Sequence, residues 1–197
     1  MGFFSSQTRA NSNPSKNPQF VMGMYARRPV HAEERPPVVV DSAPIVNKVK
    51  WGQPTWHLFH TLSVKIKDTE FPRIREELLN NIYSICLNLP CPICAEHAKE
   101  YLNGVNFNTI QTKEDLQRLL YSFHNSVNER KGYPIFPWEE FHTKYSLAIT
   151  TNIIRNFMPH FSEKSHNPKL SAGDFLRGRL VGILKQWFNQ NIQAFNP

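Results

Sequence analysis

The sequence is short of cysteine: three in 197 residues, two of them in the unit Cys91-Pro92-Ile93-Cys94. Three thiols cannot staple a small secreted scaffold, so the C-x-x-C spacing points to redox or metal chemistry. No second C-x-x-C exists. A zinc site would need two further ligands, of which His97 is one candidate, so redox is the favoured reading. Long apolar runs are also missing. None approaches the roughly 20 residues that cross a bilayer, and the first 14 residues hold no signal-peptide stretch. These absences lead us to expect a reducing compartment, cytosolic or nuclear. Acidic residues are outnumbered, 16 against 23 Lys plus Arg, for a formal charge of +7. No Lys/Arg run exceeds two, so nucleic acid is not expected as a partner.

What is present divides the chain into three. Residues 1–50 are rich in Pro, Asn and Ser, with apolar residues scattered singly, and read as an extended or disordered tail. Met1-Gly2 with Ser6 fits the loose myristoylation pattern, although bulky Phe3 counts against it. Residues 51–150 carry helical periodicity, with no competing run of alternating β-branched residues. A first helix starts at Trp51, with Trp56, Phe59, His60 and Ser63 at three- and four-residue spacing. A second spans 72–89, with Ile74, Leu78, Ile82 and Ile85 on one face and Pro90 ending it. A third begins at Cys91-Pro92 and stops near Gly104. A fourth opens on a Thr112-to-Asp115 capping box and closes at Gly132. A fifth starts at Pro137-Trp138 and is expected to reach Arg155. The fold class is all-α, a four-helix bundle plus a short fifth helix. Residues 151–197 form a C-terminal extension whose stretch 171–195 reads as a basic amphipathic helix. It either docks on the bundle or meets a membrane or partner.

Three places carry chemistry. Pro92 at the first helical position makes Cys91 the N-cap and puts Cys94 in the first turn. Sulfurs three residues apart can close a disulfide. The unsatisfied amides of a helix start are expected to lower the cysteine pKa. His124-Asn125-Ser126-Val127-Asn128 gives the fourth helix a face that can both hydrogen-bond and stack. The run WHLFHT, Trp56 to Thr61, lays aromatics along the first helix; alone, such a stripe is ordinary core.

Together, and in this order, the three motifs resemble the Erv/ALR sulfhydryl oxidases. That family has W-x-x-L-H-T, then Y-P-C-x-x-C, then H-N-x-V-N-x-x-x-G-K-P. Here the runs are WHLFHT (56–61), LPCPIC (89–94) and HNSVNERKGYP (124–134), and the resemblance covers about residues 50–150. It implies FAD in the mouth of the bundle and a relay from substrate thiols through Cys91–Cys94 to FAD and oxygen, releasing hydrogen peroxide. By the same resemblance Cys91 meets substrate and Cys94 faces the flavin. Gly52, Trp56, His60, His97, His124, Asn125, Val127, Asn128, Lys131, Lys144 and Tyr145 would hold the cofactor.

The sequence departs from the pattern at Tyr133, where a lysine is usual, and at Gln53, where an arginine is common. Lys131 or Arg130 could supply the missing charge. Cys86 reads as a core thiol. The implied partners are protein thiols or a thioredoxin-like carrier, and a second copy of the chain through the face near Phe59, Leu62 and Leu78. Capsid or membrane contacts through the tails are a further expectation. A single C-x-x-C without structural disulfides looks like the versions encoded by nucleocytoplasmic large DNA viruses. That implies the host-cell cytoplasm, with the virion as a second location. A structural or adaptor protein without oxidase activity is the alternative.

Overall fold

The structure, a computed structural model, describes residues 50–164 and 168–197. The tail and the myristoylation pattern expected within residues 1–49 lie outside them. Among the described residues the elements are seven α-helices and three short 3-10 turns. The helices are α1 Gly52–Lys65, α2 Phe71–Leu87, α3 Pro92–Asn103, α4 Lys113–Arg130, α5 Trp138–Ser146, α6 Thr150–Phe161 and α7 Ser171–Asn191.

Local chemistry fixes several ends where the sequence places them. Thr112 Oγ1 accepts from the Asp115 amide at 3.1 Å, and Asp115 Oδ2 accepts from the Thr112 amide at 2.9 Å, closing a capping box. Those bonds hold the Asp115 carboxyl below its ordinary pKa. Gly132, with φ 68°, takes the left-handed conformation just past α4 that a side chain would resist. The following Tyr133 amide then reaches back to the Asn128 carbonyl at 2.8 Å. α2 stops at Leu87, two residues before the expected end. There Asn88 Nδ2 donates to the Ser84 carbonyl, and Pro90 disfavours helix at Leu89.

α1 is the hub. It packs against α4, α5 and α6, while α2 packs against α3 and α7. Gln117 Nε2 of α4 donates to the buried Ser63 carbonyl of α1 at 3.0 Å. Leu58, Ile74, Leu78, Leu102, Leu116 and Leu120 are fully buried between the helices.

The fifth helix does not reach Arg155. α5 ends at Ser146, Ile149 turns extended, and α6 sets off in a new direction. The break follows from packing. Thr150 is buried and its hydroxyl donates to the Asn196 carbonyl at 2.6 Å, which starts α6 where Phe157 and Phe161 can enter the core.

The C-terminal helix ends at Asn191, short of 195, in a 3-10 turn. It docks on the bundle: Trp187 Nε1 donates to Glu77 at 2.6 Å and Arg73 donates to Asn191 at 3.1 Å. Leu184, Phe188 and Phe195 join the same core. One expectation changes with this. Phe59, Leu62 and Leu78, read as a dimer face, are buried within the single chain, where α6 covers α1 and α7 covers α2. No helix among the described residues is long and apolar enough to cross a membrane.

Candidate active site

A cleft of about 380 Å3 opens where α1, α3, α4 and α5 meet. Its lining includes most of the residues singled out from sequence: Gly52 and Trp56 of α1, Cys94 and His97 of α3, His124, Val127 and Asn128 of α4, Lys131 just after it, and Lys144 and Tyr145 of α5. Gln53, Arg130 and Tyr133 line it too.

The thiol end is built by the start of α3. Cys91 caps the helix, its Sγ accepting from the Cys94 amide at 3.3 Å. All three cysteines are free thiols, and Cys94, not Cys91, lines the cleft. The expected lowering of the cysteine pKa does not hold for Cys94. Burial pushes its thiol up to about 11, reinforced by the hydrogen bond to Cys91 and the charge on that sulfur. Lys131 and a backbone amide pull the other way and are outweighed. The helix-terminal effect is present but smaller than desolvation.

The aromatic end is a stack of rings on α1 and α4. Trp56 lies on His124 with centroids 4.2 Å apart and planes at 15°, and Tyr145 closes on His60 at 4.9 Å. His60 Nε2 and His124 Nδ1 share a hydrogen bond of 2.9 Å. Burial lowers the His124 pKa to about 4 and holds His60 well below the usual imidazole range, with Lys144 adding to both. Both rings are therefore uncharged at neutral pH, flat and apolar-faced. Lys144 sits over the rings of Phe136 and Tyr145, at 5.1 and 5.6 Å.

Three predicted residues do not line the cleft. His60 is fully buried behind the ring stack and supports His124. Asn125 faces the 133–137 connection. Its Nδ2 donates to the Phe136 carbonyl at 3.1 Å and its Oδ1 accepts from the Phe136 amide at 2.9 Å, as a paired strand would. It thereby fixes the connection whose first residue, Tyr133, lines the cleft. Cys91 stands outside, half-buried at the cap.

The sequence reading missed His57, which lines the cleft and whose pKa burial lowers. Its only signal was three-residue spacing from His60. Cys86 was read as core; it is buried and its thiol pKa is raised by burial, but it also forms part of the cleft floor. No group of three or more His, Cys, Asp or Glu stands together to hold a metal ion among the described residues.

The donor set fits FAD. The volume lies in the range of roughly 300–1,000 Å3 typical of cofactor clefts. Flat faces at Trp56, His124 and Tyr145 can stack on fused rings, and Arg130, Lys131 and Lys144 supply positive charge for a diphosphate. A thiol stands at the opposite end.

The pattern of the Erv1/Alr family matches residues 53–146. The chain is 32% identical to the FAD-linked sulfhydryl oxidase of African swine fever virus over 103 residues, 52% of this chain and 86% of that protein. It is 33% identical over 104 residues to FAD-linked sulfhydryl oxidase ERV1 of Oryza sativa, covering 53% of each. A putative FAD-linked sulfhydryl oxidase of invertebrate iridescent virus 6 is 27% identical over 93 residues. No solved structure matches.

Proposed function

The chain belongs to the Erv1/Alr family and is an FAD-linked thiol oxidase acting on protein thiols, and we propose that Cys91 and Cys94 divide its work. The observation that carries this division is that Cys94 lines the cleft while Cys91 caps the helix at its edge.

In the oxidised pair, a substrate thiolate attacks the Cys91 sulfur. The Cys91–Cys94 bond breaks, its electron pair leaving on Cys94 as a thiolate, and a mixed disulfide forms at Cys91. A second substrate thiolate then attacks the substrate sulfur of that mixed disulfide. The substrate disulfide is released and Cys91 leaves as a thiolate. Two electrons and, after protonation, two protons now reside on the pair. Lys131 and the first-turn amides stabilise the negative charge on Cys94. Bound FAD supplies a two-electron acceptor that passes electrons to oxygen and yields hydrogen peroxide. Trp56, His124 and Tyr145 would hold its ring systems by stacking. Arg130, Lys131 and Lys144 would neutralise its diphosphate, and Asn125 fixes the 133–137 connection that carries Tyr133 to the cleft.

The proposal extends to the setting. A thioredoxin-like carrier is one source of thiols, and the host-cell cytoplasm is the place of action, with the virion second. Similarity to oxidases of two large DNA viruses supports this. A homodimer and capsid or membrane contacts belong to the same proposal. Any homodimer uses a surface other than Phe59, Leu62 and Leu78, which are buried within the single chain.

The experiment is direct. Purified protein should be yellow, release FAD and not FMN on denaturation, and consume oxygen with a dithiol while forming hydrogen peroxide. Colourless protein that consumes no oxygen after FAD is added would favour the adaptor reading.

A further inference from the structure

From Leu78 to Ala95 the sequence contains no Asp, Glu, Lys or Arg. This uncharged stretch runs down the second half of α2, through the connection, and into the first turn of α3, so it surrounds Cys91. Asn80 is exposed at its far end, but nearest Cys91 in the sequence the exposed side chains are apolar. Ile93, between the two cysteines, is 69% exposed, and Leu87 is 38% exposed. Pro92 is exposed, while Leu89 and Pro90 are half-buried. Ile93 therefore contributes little to the core, and water contact at this size is unfavourable unless something covers it. The nearest charges further along α3, Glu96 and Lys99, pair with each other at 3.4 Å one turn on.

We infer that Leu87, Pro92 and Ile93 form an apolar collar around Cys91 that selects thiols lying in uncharged, apolar segments of protein substrates. The inference rests on the reading of Cys91 as the substrate-facing sulfur. A thiolate must reach that sulfur to exchange. Residues flanking the attacking cysteine, one Cα step of about 3.8 Å away on each side, then pass over positions 92 and 93. Apolar flanks are removed from water there together with Ile93. Acidic flanks, or a small anionic thiol such as glutathione, lose hydration and find no cation in the collar. The selection acts in binding, before any bond changes.

The test uses two synthetic dithiol peptides of one length, one flanked by Leu and Val, the other by Glu. Oxygen consumption is measured with the FAD-loaded full chain, alongside dithiothreitol. The wild type should show kcat/KM about tenfold higher for the apolar peptide, carried by KM, as expected for burying half an isoleucine. The ratio should fall towards one in Ile93→Ser and reverse in Ile93→Lys. A wild-type ratio near one, or a ratio unmoved by both substitutions, would overturn the collar while leaving the oxidase intact. Failure of the wild type with both peptides and dithiothreitol would overturn the underlying reading as well.

Discussion

The groove between α6 and α7 and the cleft at α1, α3, α4 and α5 make an instructive pair. The groove is the larger, about 780 Å3 against about 380 Å3. It is lined by Ile154, Met158, Val181 and Phe188, with Arg155 and Lys185 at its edges, and contains no thiol and no imidazole. The smaller cleft brings together two thiols, His57, His97 and His124, six more aromatic side chains and three cations. Capacity does not mark an active site; the reactive groups that converge there do. The groove also lies wholly beyond residues 53–146, the part matched by the family.

The largest effect that could break this contrast is at the thiols. Cys91→Ser and Cys94→Ser should each lower dithiol-driven oxygen consumption by about a thousandfold or more, since the relay has no substitute. Arg155→Ala with Lys185→Ala, in the groove, should leave it within about twofold. Oxygen-electrode assays of the three proteins decide it, and equal losses at both places would erase the contrast. Next in size is cofactor retention. His124→Ala and Tyr145→Ala each remove a stacking face and should weaken FAD binding by about tenfold, at roughly 1–1.5 kcal/mol per aromatic contact. Equilibrium dialysis measures this, and full retention in the double variant would move the cofactor elsewhere.

A smaller effect comes from pH. His124, lowered to about 4, and His60, held well below its ordinary range by burial, stay neutral in the fold, whereas the unfolded chain protonates them near 6.5. The unfolded state thus binds more protons as pH falls from 7 towards 4, and stability is lost across that window. Thermal melts should show a lower Tm at pH 5 than at pH 7.5, and His124→Gln should shrink the difference. The smallest change is at the cap of α4. Thr112→Ala should cost about 1 kcal/mol by chemical denaturation without altering thiol kinetics.

How much of this was legible in the sequence depended on whether local chemistry decided it. The cap at Thr112 and Asp115, the cap at Cys91 and the stop at Gly132 involve residues within a few positions of one another, and the sequence placed them. The break between α5 and α6 was not legible, because Asn196, 46 residues away, anchors Thr150. The cleft was partly legible. Family motifs named its residues, but Asn125 and His60 turn inward to hold Phe136 and His124, a direction set by tertiary packing. The Cys94 pKa was misjudged for the same reason, since the helix start is a local feature and burial is not.

If Cys94 faces the cofactor and Cys91 the substrate, an absorption spectrum distinguishes the two thiols without any turnover. In FAD-loaded Cys91→Ser the charge on the Cys91 sulfur, one cause of the raised Cys94 pKa, is gone. Raising the pH should then produce a long-wavelength absorption band as the Cys94 thiolate forms against the ring, at a midpoint below about 11. FAD-loaded Cys94→Ser should show no band at any pH. A band in Cys94→Ser and none in Cys91→Ser would reverse the two roles and contradict the placement of Cys94 in the cleft and Cys91 at its edge.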